Sequence, residues 1–245
     1  MKKLIFVVLF LGFYSIACKQ ISTKPKYVQS PAKKGPIADT DFISREVTKE
    51  YYHAVFIEHN RQSIFYTDLL DFKMDEYEND EYKQEYKVLK KRSSSPFKIY
   101  DLTGLSKEWI PLYKYRNKYY IYYPSDRGNA GRRIISDSTM VYRFMDGVRI
   151  EPFMAVKKVD NHTYSFNLRS LFIDTGISQI TIHIIDPKNN IVVWEDSSPY
   201  SGHFQLFIAR ENAKNFDMVV NYCKEIKTEE FQFDDIEFAS LLKVH

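Results

Sequence analysis

The chain has little of what usually betrays a function quickly. It holds only two cysteines in 245 residues, Cys18 and Cys223. Two thiols allow at most one disulfide, so the fold is expected to rest on an apolar core. Cys223 sits in the alternating stretch MVVNYCKE and reads as a small apolar residue rather than a nucleophile. No sign of charge dominates either: 35 basic residues face 32 acidic ones, a formal net charge of +3. That balance gives no reason to expect nucleic acid as a partner, which would call for a clustered basic face. No apolar run reaches the roughly 20 residues of a membrane-spanning helix. There is no repeat of fixed period, no Gly-x-Ser-x-Gly elbow, no Ser-x-x-Lys and no Cys-His neighbourhood. The six histidines, at 53, 59, 162, 183, 203 and 245, show no helical metal-ligand spacing, although His53 and His59 stand six apart beside Glu58. Carboxylates such as Glu151 and Asp174 are scattered, and nothing in the sequence pairs them. No catalytic residue, metal or cofactor is therefore expected from motifs.

What is present begins at the first residue. Met1 is followed by Lys2 and Lys3, an apolar stretch from Leu4 to Phe13, and then Ser15-Ile16-Ala17-Cys18. A basic start, a short apolar stretch and small residues before a cut site describe a secretory leader. The order of residues 15 to 18 resembles the lipobox of bacterial lipoproteins, with serine in place of the more familiar leucine, as in lipoproteins of the Bacteroidetes group. The resemblance implies cleavage before Cys18, a diacylglyceryl group on its sulfur and a further acyl chain, of the palmitate kind, on its amine. Two or more acyl chains anchor stably where one does not. Lys19 and Gln20 follow, with no aspartate at 19 and no acidic cluster, which favours the periplasmic face of the outer membrane over the cell surface. Without the two leader lysines the charge falls to 33 basic against 32 acidic residues, about +1.

Residues 18–40 carry Pro25, Pro31 and Pro36 among lysines and serines, with few large apolar side chains. Such a segment cannot bury enough to order itself and reads as a tether. A single β-rich domain is expected over residues 41–245.

Within it, short runs alternate apolar and polar residues between turn signals. Met140, Tyr142 and Phe144 fall on one side of a strand and Val141 and Arg143 on the other. Tyr164, Phe166 and Leu168 alternate in the same way, and Pro152 marks an edge or a bulge. Residues 178–186 and 190–195 flank Pro187-Lys188-Asn189 as a hairpin. Residues 75–95, acidic first and basic later, suit an exposed helix, with a long charged loop as the alternative. A short terminal helix is expected after Asp234 or Asp235 as N-cap. The sum is mainly β, with eight to ten largely antiparallel strands closed as a barrel or packed as a sandwich and one or two short helices. A lipocalin-like barrel is an analogy of architecture, and architecture does not imply function.

Three stretches carry candidate chemistry. Tyr113, Tyr115, Tyr119, Tyr120 and Tyr122 form an aromatic hairpin around Arg116-Asn117-Lys118, aromatic on both faces, as a small-molecule, glycan or protein surface would be. The glycine-containing loop 124–133 sets Arg127, Arg132 and Arg133 beside Asp126, a grouping able to hold a carboxylate or phosphate but equally an ordinary hairpin loop. Asp137-Ser138-Thr139 resembles the O-glycosylation pattern of Bacteroidetes, with Ser138 as acceptor. The expectation is a lipid-anchored envelope protein that binds a small molecule, glycan or envelope protein without chemistry. A periplasmic hydrolase with an unrecognised carboxylate or histidine site, and a subunit of an envelope complex, stand as alternatives.

Overall fold

Alternating residues make strands wherever one face can be buried. The structure, a computed structural model, describes residues 40–48, 51–93, 96–144, 147–169, 176–197, 204–224 and 228–243. The expected leader, Cys18 and the tether, Thr40 apart, lie outside the described residues. Strands β1 (Thr40–Val47) and β2 (Tyr52–Glu58) and helices α1 (Ile64–Leu69) and α2 (Glu76–Arg92) come first. Then follow β3 (Glu108–Tyr115), β4 (Lys118–Tyr123), β5 (Arg133–Ile135), β6 (Thr139–Phe144), β7 (Gly147–Lys158) and β8 (Thr163–Arg169). The chain continues through β9 (Ile177–Asp186), β10 (Ile191–Asp196), β11 (Phe204–Ala209), β12 (Asp217–Cys223) and α3 (Phe238–Leu242).

The fold is mainly β and contains a closed, antiparallel, eight-stranded barrel. From β5 to β11 each strand pairs with its successor, and β3 closes the ring by pairing with both β11 and β5. Closure removes the exposed edges that an open sheet would carry. The interior is filled by alternate residues: Tyr164, Phe166 and Leu168 of β8, Ile180 and Ile182 of β9, Val192 and Trp194 of β10 and Phe207 of β11. Tyr100, Leu102 and Leu105 of the preceding loop pack on the same core. Pro152 lies opposite Thr139 in β7, and the irregularity expected of it appears one residue on, where the β7–β8 register shifts between Phe153 and Ala155.

Beyond the ring, β3 also pairs with β4, and the sheet runs on through β12 and β2 to β1. The β4–β12 pair is parallel, a departure from the antiparallel expectation that arises because β12 reaches β4 from a distant part of the chain. Both faces of this extension are covered. Ala54, Phe56, Ile121, Tyr123, Met218 and Val220 pack under Tyr66 and Leu69 of α1. Val55, Tyr120, Tyr122 and Val219 pack under Phe231 and Phe233 of the C-terminal segment.

Helix α2 lies against the outside of the barrel. Asp75 and Glu78 form a reciprocal capping box at its start, and Lys90, Lys91 and Arg92 occupy its last turn. Leu89 meets Val141, Val148 and Ile150, the outward residues of β6 and β7. The carboxylates of Glu81 and Glu85 accept from the backbone N–H groups of Val148 and Ile150, each at 3.1 Å. Gly147 has φ +124°, a conformation strained for any side chain, and a Cβ there would also displace the Glu81 carboxylate. The terminal helix starts later than expected. Its N-cap is Glu237, without a side-chain cap bond, because Asp234 instead accepts from the Arg116 N–H at 2.7 Å.

Candidate functional site

Strand parity decides what enters the barrel. Ile135 and Met140 face inward, so Arg133 and Tyr142, two residues away and paired with each other across β5 and β6, face inward too. Met140 pairs with Glu151 of β7, which brings that carboxylate to the same face. On the opposite wall Trp194 pairs with Gln205, and Val192 with Phe207. Between these walls lies a cavity of about 470 Å³, lined by Tyr113, Arg133, Tyr142, Ile180, Trp194, Asp196, Gln205 and Phe207. The C-terminal segment supplies its rim through Asp234, Asp235 and Phe238, the last stacked on Phe204 at 5.6 Å. The volume falls within the range of small-molecule sites, about 300–1,000 Å³.

The guanidinium of Arg133 sits 4.8 Å from the Tyr142 ring centroid and 5.9 Å from that of Phe207. Its Nη1 donates to the backbone oxygens of Gly131, at 3.1 Å, and Arg132, at 3.4 Å. Among the described residues no acceptor meets its Nε or Nη2, and no carboxylate lies within ion-pair distance of it. Burial lowers its pKa from the ordinary arginine value, opposed by the field of Tyr142, Tyr113, Asp196 and Glu151. Tyr142 donates to Glu151 at 2.9 Å, and burial foremost, then the Glu151 charge, raise its pKa well above the usual phenol value. Burial likewise pushes Tyr113 up to about 12.

The indole N–H of Trp194 is buried without a hydrogen-bond partner. An unpaired buried donor costs about 1–3 kcal/mol. The other tryptophan differs: Trp109 donates to the Ser106 carbonyl at 2.8 Å. Trp194 and Arg133 converge on one ring, since Trp194 and Phe207 have centroids 4.8 Å apart. The cavity therefore offers an arginine with unused donors, aromatic walls, and an acidic rim where Asp234 and Asp235 are exposed.

The residues singled out from sequence are distributed unevenly about this site. Tyr113 is in the cavity wall and stacks on Phe233 at 4.5 Å. Tyr115 packs edge-on to Phe231, and Tyr120 lies in the same layer. Tyr122 is buried, donates to Glu230 and accepts from the Phe231 N–H at 2.9 Å. Tyr119 packs on the opposite face, with the α1 core. Arg132 turns away to the Asp71 carbonyl, 2.6 Å, and lies over Phe72. Arg127 opens a 3-10 turn capped by Asp126, and its side chain lies outside the described residues. Ser138 sits in the β5–β6 turn and is 8 % exposed, so a glycan on it would require that turn to open. The two spaced histidines go to separate partners. His53 bonds Asn221 at 2.7 Å, while His59 meets Asp217 at 3.0 Å.

Sequence reasoning missed Trp194, Asp196, Gln205 and Phe207. Their signal was parity alone, because Trp194 and Asp196 alternate in β10 as Gln205 and Phe207 do in β11. Comparison of the chain with protein-family models, with curated proteins and with solved structures finds no match in any of the three.

Proposed function

We propose that the protein is a lipid-anchored binding module of the cell envelope that takes a small ligand in the barrel cavity without acting on it chemically. The supporting observation is a cavity of about 470 Å³ whose wall holds an arginine with donors to spare and Trp194, whose buried indole N–H is unpaired. Natural interiors rarely leave such groups unanswered, and a ligand with matching acceptors answers them. The aromatic walls supply the apolar contact that most of a small ligand's surface needs. The anchor rests on Ser15-Ile16-Ala17-Cys18, whose resemblance to a lipobox implies acylation of Cys18.

The two halves are tested separately. A Cys18→Ala variant moves from the membrane pellet to the soluble fraction; a variant that stays in the pellet refutes the anchor. For the cavity, a panel of small acids, sugars and amides is screened by thermal melting of the full chain. A ligand at about a hundred times its Kd stabilises by about 2.7 kcal/mol. That rise vanishes in Gln205→Trp, which fills the cavity, and a rise that survives the substitution refutes the cavity as the site.

A further inference from the structure

We infer that the head group the cavity takes is a single carboxylate, carried on a small planar or apolar body. This assignment rests on the cavity reading above and adds the chemistry of the ligand to it. The cavity wall holds one cation, Arg133, among the described residues. Arg133 spends Nη1 on two backbone carbonyls and keeps Nε and Nη2 without acceptors among the described residues. Trp194, in the same wall and against the same Phe207 ring, carries a further buried and unpaired donor in its indole N–H. A carboxylate is the acceptor-only group whose two oxygens match the guanidinium fork. A neutral hydroxyl also accepts, but it brings its own donor proton and forms no charge-assisted pair with the guanidinium. A charge-assisted bond is about twice as strong as a neutral one.

The rim sets the number of charges. Asp196, Asp234 and Asp235 line the same cavity as Arg133, so the site is not a general anion trap. A phosphate dianion or a dicarboxylate would meet three carboxylates on its way to one arginine. A monocarboxylate satisfies Arg133 while its neutral body passes the rim. That body lies among Tyr113, Tyr142, Trp194 and Phe207, whose faces suit a flat or aliphatic group.

The test uses the full chain in detergent with phenylacetate, its uncharged analogue phenylacetamide, and inorganic phosphate. The chain has two tryptophans, both in the barrel core, so two indole N–H resonances report on it. Trp194→Phe assigns them. The Trp109 resonance, held by its bond to Ser106, serves as the folding control. Phenylacetate is expected to shift the Trp194 resonance saturably, phenylacetamide and phosphate not to. Arg133→Gln is expected to weaken phenylacetate by about tenfold or more, the worth of a lost charge-assisted pair. Arg133→Lys, which keeps the charge and loses the fork, should fall between and carries this comparison if the glutamine variant loses the Trp109 control signal. Equal binding of acid and amide, preference for phosphate, or unchanged phenylacetate affinity in the folded Arg133 variants overturns the carboxylate assignment while leaving the cavity reading standing. If neither acid nor amide moves the Trp194 resonance at about 10 mM, well above the millimolar Kd a fragment should reach, both the assignment and the cavity reading fall.

Discussion

Replacing Glu78 by glutamine should cost the protein far more than a surface carboxylate would. Glu78 holds Arg143 through two parallel bonds of 2.7 Å, and their side chains are only 15 % and 10 % exposed. The same carboxylate closes the capping box of α2 by accepting from the Asp75 N–H at 3.1 Å. Glutamine keeps the shape and the capping acceptor but removes the charge, leaving Arg143 enclosed without its carboxylate. Removing one partner of a buried pair costs about 3–5 kcal/mol, whereas exposed pairs are worth about 0–1 kcal/mol. The low exposure puts this pair near the first regime; because Arg143 retains a bond to the Asp71 carbonyl at 3.2 Å, the lower end, about 3 kcal/mol, is expected. At about 2–4 °C per kcal/mol for a unit of this size, the melting temperature falls by about 6–12 °C. Urea denaturation of Glu78→Gln, Arg143→Met and the double variant completes a cycle, and the coupling should reach about 2 kcal/mol. A loss under about 1 kcal/mol with no coupling would refute the reasoning, leaving α2 held by its apolar face alone. The consequence reaches the cavity, because α2 braces the outside of β6 and β7, whose inner faces carry Tyr142 and Glu151.

Two further outcomes can be measured on the same protein. His59 lies between Asp217 and Asp41, and its bond to Asp217, outweighing burial, raises its pKa above 6.5; stability from this contact is full below pH 6.5 and is lost as pH rises through the folded value. Asp217 has the opposite sign: burial raises its pKa, but the bonds to Arg61 and His59 prevail and lower it below 3.8, so its contribution is present above pH 3.8 and is lost as pH falls through the folded value. Because these side chains are about a third exposed, the melting temperature should fall by only about 2 °C as pH rises past the His59 transition, and His59→Gln should flatten that dependence; an unchanged slope in the variant would remove His59 as its source. Gly131→Ala should cost about 1–2 kcal/mol in urea denaturation, since Gly131 has φ +66° and a Cβ there would lie 2.9 Å from the Pro111 ring, and a neutral result would mean that the loop before β5 relaxes freely.

What was legible in the sequence follows from how many faces of each strand are buried. Strand β8 read correctly because one side, Tyr164, Phe166 and Leu168, looks into the barrel while Asn167 on the other is exposed. Strand β6 is covered on both sides, by the barrel core and by α2, and its two faces stayed legible through Arg143, which enters the outer cover only by pairing with Glu78. Strand β2 went unread: Ala54, Val55 and Phe56 are all buried, and a strand covered on both sides shows no alternation. The tyrosine hairpin is the same case in aromatic form. Aromatic residues on both its faces exceed what one-sided burial explains, and the structure buries both, under α1 on one side and under Phe231 and Phe233 on the other. Neither cover is a sequence neighbour of the hairpin, so only the fold could reveal it.

The cavity was hidden for a related reason, which lies in β3. That strand meets β5 through two residue pairs only, Glu108 with Ile134 and Trp109 with Arg133. From Leu112 onward the same strand pairs with β4 instead, and Pro111, with no N–H to give a ladder, stands between the two partners. Arg133 is thus the first residue of β5, at the point where the closing strand departs. Its inward parity sends the guanidinium into the space that the departure leaves, and Asp234 to Phe238 cover that space from outside. Arg132, one residue earlier, has the opposite parity and reaches Asp71 beyond the barrel. In a loop with three arginines, a single step of register therefore separates a structural contact from the one cation in the cavity wall among the described residues. Inserting one residue between Arg133 and Ile134 would place the new residue at the inward position and turn Arg133 outward to where Arg132 now lies, and with it would go the charge the barrel offers a ligand.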